Sequence, residues 1–363
     1  MLLFELIQIA IGRRENLSRK PSVEEWWHLY EEAEKQSVLG VMLEGMAKLP
    51  KEQYPPQALV FQWVGEAEQV KAQNRIVNKR TVELLSHFSK EGFRGCILKG
   101  QGNALMYPNP YSRMSGDIDI WIEGKQEAIK RFVFSKYPEA QDGNKHIEYP
   151  IFEDVPVEVH YKPSTLRIPK YDKRLQEFFA EHAAEQFENW VELSDDEGKI
   201  CVPTLEFNAI YQMTHLMSHF FVEGIGLRHF VDYYYVLKGL DGREFKEGAK
   251  EQFAELGMLK FAKGVMWIEK ECLAIEDRLL LVEPDEKVGK VIMMEMMEGG
   301  NFGYHDNRYK TREKGYVARG LTDIFRLLKL ARVFPEESLW KIYEKIVNQR
   351  WKVKKGMRGV FLR

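Results

Sequence analysis

The sequence predicts an α+β protein in which a small core of β-strands lies between two helical regions. Apolar residues recur at helical spacing through residues 57–90 and again after residue 205. Residues 117–122 and 146–161 instead alternate between apolar and polar side chains, which is the pattern of half-buried strands. Helices that precede and follow a group of strands are typical of the α+β class.

The chain divides into three regions by this change of pattern. We expect an N-terminal helical region over 1–90, an α/β core over 91–200 and a C-terminal helical region over 201–363. No internal repeat and no low-complexity tract interrupts this order.

The N-terminal region carries clear helix signals. Ser22 and Glu25 have the spacing of a capping box, so a helix is predicted to begin there. A long helix is predicted from Gln57 to Lys90, and Gly92 is placed to end it.

The core reads as short strands with helical segments between them. A strand is predicted to end at Lys99-Gly100, a helical segment covers 101–107, and a second strand covers 117–122. A helix over 125–136 follows. Residues 146–161 then predict a hairpin that turns at Glu153-Asp154 and places Glu158 and His160 on one face.

The C-terminal region is predicted to be helical with one long loop. The predicted helices cover 206–221, 227–238, 244–274, 284–298, 317–333 and 336–355. Residues 299–316 are rich in Gly, Asn, Lys and Arg and predict the loop. The tail after residue 350 is basic, a composition more typical of a solvated terminus than of a contact with an anionic polymer.

The composition limits the function classes. With 363 residues and a net charge of -2, the chain has no bulk charge that favours a long nucleic acid, although a nucleic-acid partner stays open. No apolar run approaches the roughly 20 residues of a membrane span, and Arg13 and Arg14 follow the N-terminal apolar run, which is the wrong order for a secretory signal. The widely spaced Cys96, Cys201 and Cys272 favour a reducing, cytoplasmic setting.

Two aspartates on one predicted strand are the strongest sign of chemistry. Asp117 and Asp119 are two residues apart, so their side chains point to the same face, while Ile118, Ile120 and Ile122 point to the other. Two carboxylates side by side repel each other unless a cation compensates them. Hard oxygen ligands without neighbouring Cys or His suit Mg²⁺.

Two further elements converge on this strand. The turn at Lys99-Gly100 offers a cation and a backbone that can approach phosphates closely. Glu158 offers a third carboxylate on a later strand. Three acids on neighbouring strands can hold two metal ions that orient a triphosphate for in-line displacement.

These residues together resemble a known family. The segments are Leu98-Lys99-Gly100, Arg113-x-Ser115-Gly116-Asp117-Ile118-Asp119 and Val157-Glu158-Val159-His160. In this order they are similar to the uncharacterised bacterial nucleotidyltransferases of the polymerase-beta-like superfamily. The resemblance covers about 93–162 and continues more loosely into His215-x-x-x-His219 and Gly226-Leu227-Arg228-x-x-x-Asp232. The first turn departs from the family's Gly-Gly or Gly-Ser pattern.

The resemblance implies a mixed β-sheet flanked by helices and a specific reaction. That reaction is the transfer of a nucleoside monophosphate from a triphosphate such as ATP to an unknown acceptor, with release of pyrophosphate and dependence on Mg²⁺ or alternatively Mn²⁺. The implied catalytic and metal-binding residues are Asp117, Asp119 and Glu158. The implied nucleotide-binding residues are Lys99, Gly100, Arg113, Ser115 and Gly116, and the substrate-pocket candidates are His160, His215, His219 and Arg228.

Several of these residues have a structural interpretation as well. Lys99 and Arg113 could form salt bridges with the acidic cluster instead of contacting phosphates, and Ser115 and Gly116 could simply form the turn. His160 could orient a carboxylate or be a structural histidine.

The helical candidates also have a structural interpretation. His215 and His219 lie four residues apart on one helix face, where a packed or substrate-facing stripe is favoured over a zinc site. Arg228 and Asp232 have the same spacing and could pair with each other.

Three hypotheses about function remain. The first is a Mg²⁺-dependent nucleotidyltransferase acting on a small molecule, a protein or an RNA. The second is a catalytically inactive protein that keeps the fold and binds nucleotide. The third is an interaction protein that works through its helical surfaces, and a cluster of the three acids would count against it.

Overall fold

The N-terminal region is helical in the computed structural model, which describes residues 1–303 and 316–354. Its helices are α1 (Leu2–Ala10), α2 (Val23–Lys35), α3 (Leu39–Ala47) and α4 (Gln57–Lys90). The predicted capping box begins α2, because the Ser22 hydroxyl accepts from the Glu25 amide and the Glu25 carboxylate accepts from the Ser22 amide. The predicted bounds of α4 are also confirmed.

The core contains a four-stranded mixed β-sheet. Its strands are β1 (Gly95–Ile97), β2 (Ile118–Ile122), β3 (His146–Glu148) and β4 (Val157–His160), in the order β1-β2-β4-β3. β2 pairs with β1 in antiparallel fashion and with β4 in parallel fashion, while β3 and β4 form the predicted antiparallel hairpin. The α+β class with a mixed sheet between helical regions is therefore confirmed.

Two helices of the core were predicted, α5 (Gln101–Ala104), which is shorter than the predicted 101–107, and α6 (Gln126–Lys136). Two further helices, α7 (Pro169–Glu181) and α8 (Ala183–Gln186), were not predicted. A second sheet consists of β5 (Trp190–Glu192) and β6 (Lys199–Cys201). These two strands have only three residues each, too few to show an alternating pattern in the sequence.

The C-terminal region continues as helices. They are α9 (Leu205–Val222), α10 (Leu227–Gly239), α11 (Phe245–Glu255), α12 (Leu259–Glu271), α13 (Glu286–Gly299), α14 (Tyr316–Leu330) and α15 (Pro335–Lys354). The boundary between α11 and α12 is at Gly257, whose φ of +69° favours glycine. The predicted loop over 299–316 lies mostly outside the described residues, as does the tail after Lys354.

The two faces of the four-stranded sheet pack against different helices. Ile118, Ile120 and Ile122 of β2 belong to an apolar cluster shared with α4 and α6. On the opposite face Trp121 stacks on Phe207 of α9, with ring centroids 5.7 Å apart. The face that carries the acidic residues is therefore covered by the C-terminal helices.

The N-terminal and C-terminal helices share one apolar core. Its buried members include residues of α1–α4 and of α9–α14. Gln36 joins the two regions, since it donates to the Met296 carbonyl (3.1 Å) and accepts from the Leu227 amide (2.9 Å). Among the described residues, no helix combines the length and the apolar character needed to cross a membrane.

One buried carboxyl group in α12 has no compensating partner. Glu269 is fully buried, and neither of its carboxyl oxygens accepts or donates a hydrogen bond within the described residues. Burial therefore raises the pKa of Glu269 well above its usual range. The folded protein holds this group in its neutral form at neutral pH.

We expect Glu269→Gln to stabilise the protein at pH 8 and to have little effect at pH 4. The raised folded-state pKa contributes stability that is complete below the unfolded pKa of about 4.3. That contribution is lost as pH rises, by up to about 1.4 kcal/mol per pH unit. Melting curves between pH 4 and pH 8 measure the difference, with the exposed Glu271→Gln as control. A difference in melting temperature between variant and parent that stays constant from pH 4 to pH 8 would mean that Glu269 is ionised in the folded protein.

Candidate active site

Three carboxylates from two neighbouring strands meet on the helix-covered face of the sheet. Asp119 lies in β2 opposite Glu158 of β4 in the parallel ladder, and Asp117 immediately precedes β2. Oxygens of the three side chains lie within 4.8 Å of one another. The structure thus brings together the three acids that the sequence singled out, because strand pairing aligns their side chains on one face.

The three acids differ in their access to solvent. The Asp119 side chain is 0% exposed, whereas 26% of Glu158 and 35% of Asp117 remain exposed. Asp119 therefore forms the floor of the cluster, and the other two line its open side. Asp117 and Glu158 therefore give the cluster its contact with solvent.

Neighbouring charges set the ionisation of the cluster. The repulsion from Asp119 raises the pKa of Asp117 above its usual value. Burial opposes ionisation of Asp119, but the Lys99 ammonium and the His160 ring hold the pKa of Asp119 below its usual value. Burial likewise opposes ionisation of Glu158, and two histidine rings hold its pKa below its usual value. The two best-paired acids therefore carry negative charge at neutral pH.

Lys99 is the main compensating cation. Its ammonium lies 2.9 Å from Asp119 Oδ2 and 4.0 Å from Asp117 Oδ2. Asp119 Oδ2 has no well-directed hydrogen bond, so the short contact is an ion pair rather than an aligned hydrogen bond. The sequence left open whether Lys99 contacts phosphates or forms a salt bridge with the acids. The structure contains the salt bridge. A contact between Lys99 and a nucleotide stays a prediction.

The turn after β1 requires a glycine. Gly100 has a φ of +59° and a ψ of −112°, a conformation that other residues avoid. Its carbonyl accepts from the Ala104 amide, which begins α5 directly after the turn. The turn therefore fixes Lys99 at the end of β1, next to the acids.

Arg113 has a partner that the sequence did not predict. Its guanidinium makes two 2.8 Å hydrogen bonds to the two carboxylate oxygens of Asp232 in α10. Tyr107 and Asn103 also donate to Asp232, and Arg113 is only 4% exposed. Burial lowers the pKa of Arg113, but Asp232 raises it above its usual value. Arg113 thus ties the loop before β2 to α10.

Arg228 lies one turn before Asp232 but does not pair with it. Among the described residues Asp232 forms its salt bridge with Arg113. The prediction that Arg228 could pair with Asp232 is therefore wrong. Arg228 donates instead to the Met114 carbonyl (2.8 Å), and its buried Nε has no hydrogen-bond partner there. Burial lowers the pKa of Arg228 to about 10. The guanidinium lines the same cleft as Asp117 and remains charged at neutral pH.

The two residues before Asp117 differ in accessibility. The Ser115 hydroxyl is buried and has no hydrogen-bond partner among the described residues. Gly116 is exposed, and a Cβ atom added there would meet open space. Gly116 lines the cleft, so its backbone is accessible to a ligand.

His160 lies beneath the acids rather than in the substrate cleft. It is 0% exposed, and its Nε2 lies 2.9 Å from Asp119 Oδ1 and 3.3 Å from Glu158 Oε2. A fully buried ring cannot contact a substrate in the open cleft. Of its predicted roles, the structure supports the orientation of carboxylates.

A third histidine joins the two that the sequence singled out. The His215 and His219 rings lie 4.2 Å apart, and His229 of α10 lies within 5.8 Å of both. His215 and His229 line the cleft, whereas His219 pairs with Glu223 at 2.9 Å. Burial lowers the pKa of His215 well below its usual value, so that ring is neutral. The sequence missed His229 because the packing of α10 on α9 is not a local property.

Lys145 is a second residue that the sequence missed. It immediately precedes β3, and its charge interacts with Lys99, Asp119 and Glu158. Burial, with the neighbouring Lys99, lowers the pKa of Lys145. Within the described residues no carboxylate lies within ion-pair distance of its ammonium. Knowledge of which residues pair between β3 and β4 would have placed Lys145 near the acids.

The cleft above the acids is narrow. It lies between the sheet and helices α9 and α10, and its lining includes Lys99, Asp117, Tyr211, His215 and Arg228. The enclosed free space is about 30 Å³, which admits little more than water. A ligand larger than an ion therefore needs the cleft to open or must lie across its mouth.

Comparisons with known proteins give one family. The model of a family described as uncharacterised nucleotidyltransferase matches residues 22–274. No curated protein matches the chain. Among solved structures, an antigenic nucleotidyltransferase-like protein from Paracoccidioides brasiliensis is 12% identical, with a TM-score of 0.36, over 60% of this chain and 96% of that chain. A likeness of that size does not establish a shared architecture.

Proposed function

We propose that this chain, which belongs to the uncharacterised nucleotidyltransferase family, transfers a nucleoside monophosphate from a triphosphate to a hydroxyl- or phosphate-bearing acceptor. Pyrophosphate is the leaving group. The observation that carries the proposal is the meeting of Asp117, Asp119 and Glu158 on adjacent parallel strands, with oxygens within 4.8 Å. Such a cluster suits phosphoryl-group chemistry, where catalysis consists mainly of positioning and charge stabilisation.

The donor atoms of this cluster fit Mg²⁺, with Mn²⁺ as the alternative. All three side chains present carboxylate oxygens, and Mg²⁺ is usually held by one or two carboxylates together with substrate phosphates. Asp117, Asp119 and Glu158 would be the residues that hold it. The bound ion would polarise the α-phosphate and stabilise the charge that develops on the leaving pyrophosphate.

Cations around the acids are proposed to bind the triphosphate. Lys99 and Arg228 both line the cleft next to Asp117, and the charge of Lys145 interacts with all three acids. The exposed backbone of Gly116 and the unpartnered hydroxyl of Ser115 offer further hydrogen bonds to phosphate oxygens.

Other residues are proposed to act through these groups. Arg113 holds α10 in place through Asp232, so its role is to position Arg228 rather than to contact phosphate. Gly100 lets the turn present Lys99 to the cleft. His215 and His219 on α9 are proposed to shape the side of the cleft where the acceptor binds.

The proposal also covers the superfamily and the cellular location of the protein. We place the chain among the bacterial members of the polymerase-beta-like superfamily and propose a cytoplasmic location, which its three buried free cysteines support. The division into 1–90, 91–200 and 201–363 stays part of the proposal. A small acceptor or a protein fits the net charge of -2 better than a long nucleic acid.

A screen for pyrophosphate release tests the proposal and identifies the substrates. Purified protein is incubated with Mg²⁺, each of the four ribonucleoside triphosphates and fractionated cell extract as the source of acceptor. We expect pyrophosphate release with a preferred nucleotide, only in fractions that contain the acceptor, and its loss in EDTA. Tight nucleotide binding without release in any fraction would favour the catalytically inactive alternative.

A further inference from the structure

The orientation of the buried His160 ring demands a positive charge between its Nε2 and two carboxylates. Its Nδ1 lies 3.2 Å from the Lys162 carbonyl, which can only accept a hydrogen bond, so Nδ1 carries the hydrogen. Its Nε2 faces Asp119 Oδ1 at 2.9 Å and Glu158 Oε2 at 3.3 Å. A neutral ring would direct its lone pair at two carboxylate oxygens. Nε2 therefore takes either a proton or a metal ion.

A second histidine lies next to the same carboxylate. His146 of β3 is the cross-strand partner of His160 in the β3–β4 hairpin, which brings both side chains to one face. His146 Nδ1 lies 2.8 Å from Glu158 Oε2, yet it makes no directed hydrogen bond to any described residue. The contact brings Nδ1 and the carboxylate oxygen together without the alignment of a hydrogen bond, so a cation bound between them would satisfy both atoms.

These three residues have the composition of a transition-metal site, and their ligand atoms are close enough to converge on one ion. Ligand atoms of His146, Glu158 and His160 lie within 4.8 Å of one another. Ligands of a tetrahedral zinc ion are separated by about 3.4 Å, given bonds of about 2.1 Å. The hydrogen bond from His160 Nδ1 to a backbone carbonyl is also the usual outer contact of a metal-bound histidine.

From these contacts we propose that His146, Glu158 and His160 bind a transition-metal ion of the zinc class, at a second site that shares only Glu158 with the oxygen-only site of Asp117, Asp119 and Glu158. Imidazole ligands favour zinc over magnesium, whereas carboxylates alone favour magnesium. His146 and Glu158 are 24% and 26% exposed, so an ion can reach the site from solvent. Two histidines and one glutamate leave a coordination position open.

The shared glutamate gives this site a regulatory role, which rests on the proposed function. Glu158 belongs to both ligand sets. An ion held by the two histidines withdraws the Glu158 carboxylate from the magnesium site, and the added positive charge beside Asp119 weakens magnesium binding further. Zinc therefore inhibits the magnesium-dependent transfer, and the inhibition is relieved by excess magnesium.

Cobalt binding tests the site without reference to activity. Co²⁺ added to the full chain should give the visible absorption of a four- or five-coordinate ion at one equivalent, and Zn²⁺ should abolish it. His146→Gln should weaken Co²⁺ binding at least about tenfold, while His28→Gln, at an exposed histidine of α2, should bind as the parent does. Absence of the absorption, or equal affinity in His146→Gln and parent, would overturn the proposal.

A second measurement on the parent does not depend on any variant folding. X-ray absorption of the zinc-loaded protein should show scattering from two imidazole rings, and the absence of imidazole scattering would contradict the site. Zinc should then inhibit transfer by the parent at concentrations at least about tenfold lower than it inhibits His146→Gln. Cobalt binding in a protein that shows no transfer with any nucleotide would uphold the metal site and reject the proposed function.

Discussion

Replacing Asp117 with Asn should reduce Mg²⁺-dependent transfer by on the order of a thousandfold. The substitution removes a charged metal ligand while it keeps the size of the side chain. The same variant should melt at a higher temperature than the parent in EDTA at pH 7. Repulsion from Asp119 raises the folded pKa of Asp117, so ionisation of this group at neutral pH opposes folding.

Asp119→Asn separates the catalytic effect from the stability effect. It should lose transfer to the same extent but melt below the parent, because Lys99 and His160 then lose a buried partner. Initial rates and melting curves of the two variants measure both effects. Transfer that persists in Asp117→Asn would remove this residue from the catalytic site, and a lower melting temperature for it in EDTA would show that its charge is stabilising.

Replacing Lys99 with Met should lower the free energy of unfolding by about 3 kcal/mol, the lower end for breaking a buried ion pair. The Lys99 side chain is 16% exposed, and its ammonium compensates the fully buried Asp119. Asp119 retains its contact with His160, which limits the loss. The double variant Lys99→Met/Asp119→Asn should recover most of the stability, because neither partner is then left as an unpaired buried charge.

The pH range matters for this comparison. Burial lowers the pKa of Lys99, but the neighbouring carboxylates raise it above its usual value in the folded protein. The stability that Lys99 contributes is therefore complete at pH 7 and is lost only as pH rises through the folded pKa. Urea unfolding at pH 7 compares the three variants with the parent. A Lys99→Met protein as stable as the parent would show that the ion pair contributes nothing.

The same variant tests the role of Lys99 in nucleotide binding. If the ammonium contacts the phosphates, Lys99→Met should weaken triphosphate binding more than monophosphate binding, and the difference should shrink as salt rises. Calorimetric titration of both nucleotides measures this. Equal affinities for variant and parent would limit Lys99 to the ion pair with the acids.

Features set by local sequence could be predicted, and contacts between distant elements could not. The bounds of α4 follow from its apolar spacing and from the proline and glycine residues that flank it. Strand alternation gives the faces on which Asp119 and Glu158 lie, but their alignment comes from the parallel pairing of β2 with β4, which is a contact between distant elements. The ion pair of Arg113 with Asp232 joins residues 119 positions apart, so it depends on how α10 packs against the core.

The histidine next to Glu158 shows the same limit within the hairpin. The sequence placed Glu158 and His160 on one face but did not include His146, because the residues that pair across β3 and β4 depend on the length of the turn. Lys145 was missed for the same reason. Both residues became visible only once the register of the two strands was known.

The fate of the α-phosphate tests the central claim most directly. Parent and Asp117→Asn are incubated with Mg²⁺, acceptor fraction and a triphosphate labelled at either the α- or the γ-phosphate. We expect the α-label on the acceptor and the γ-label in pyrophosphate for the parent, and neither product for the variant. Transfer of the γ-label to the acceptor, or equal α-label transfer by the variant, would contradict a nucleotidyltransferase site built on these carboxylates.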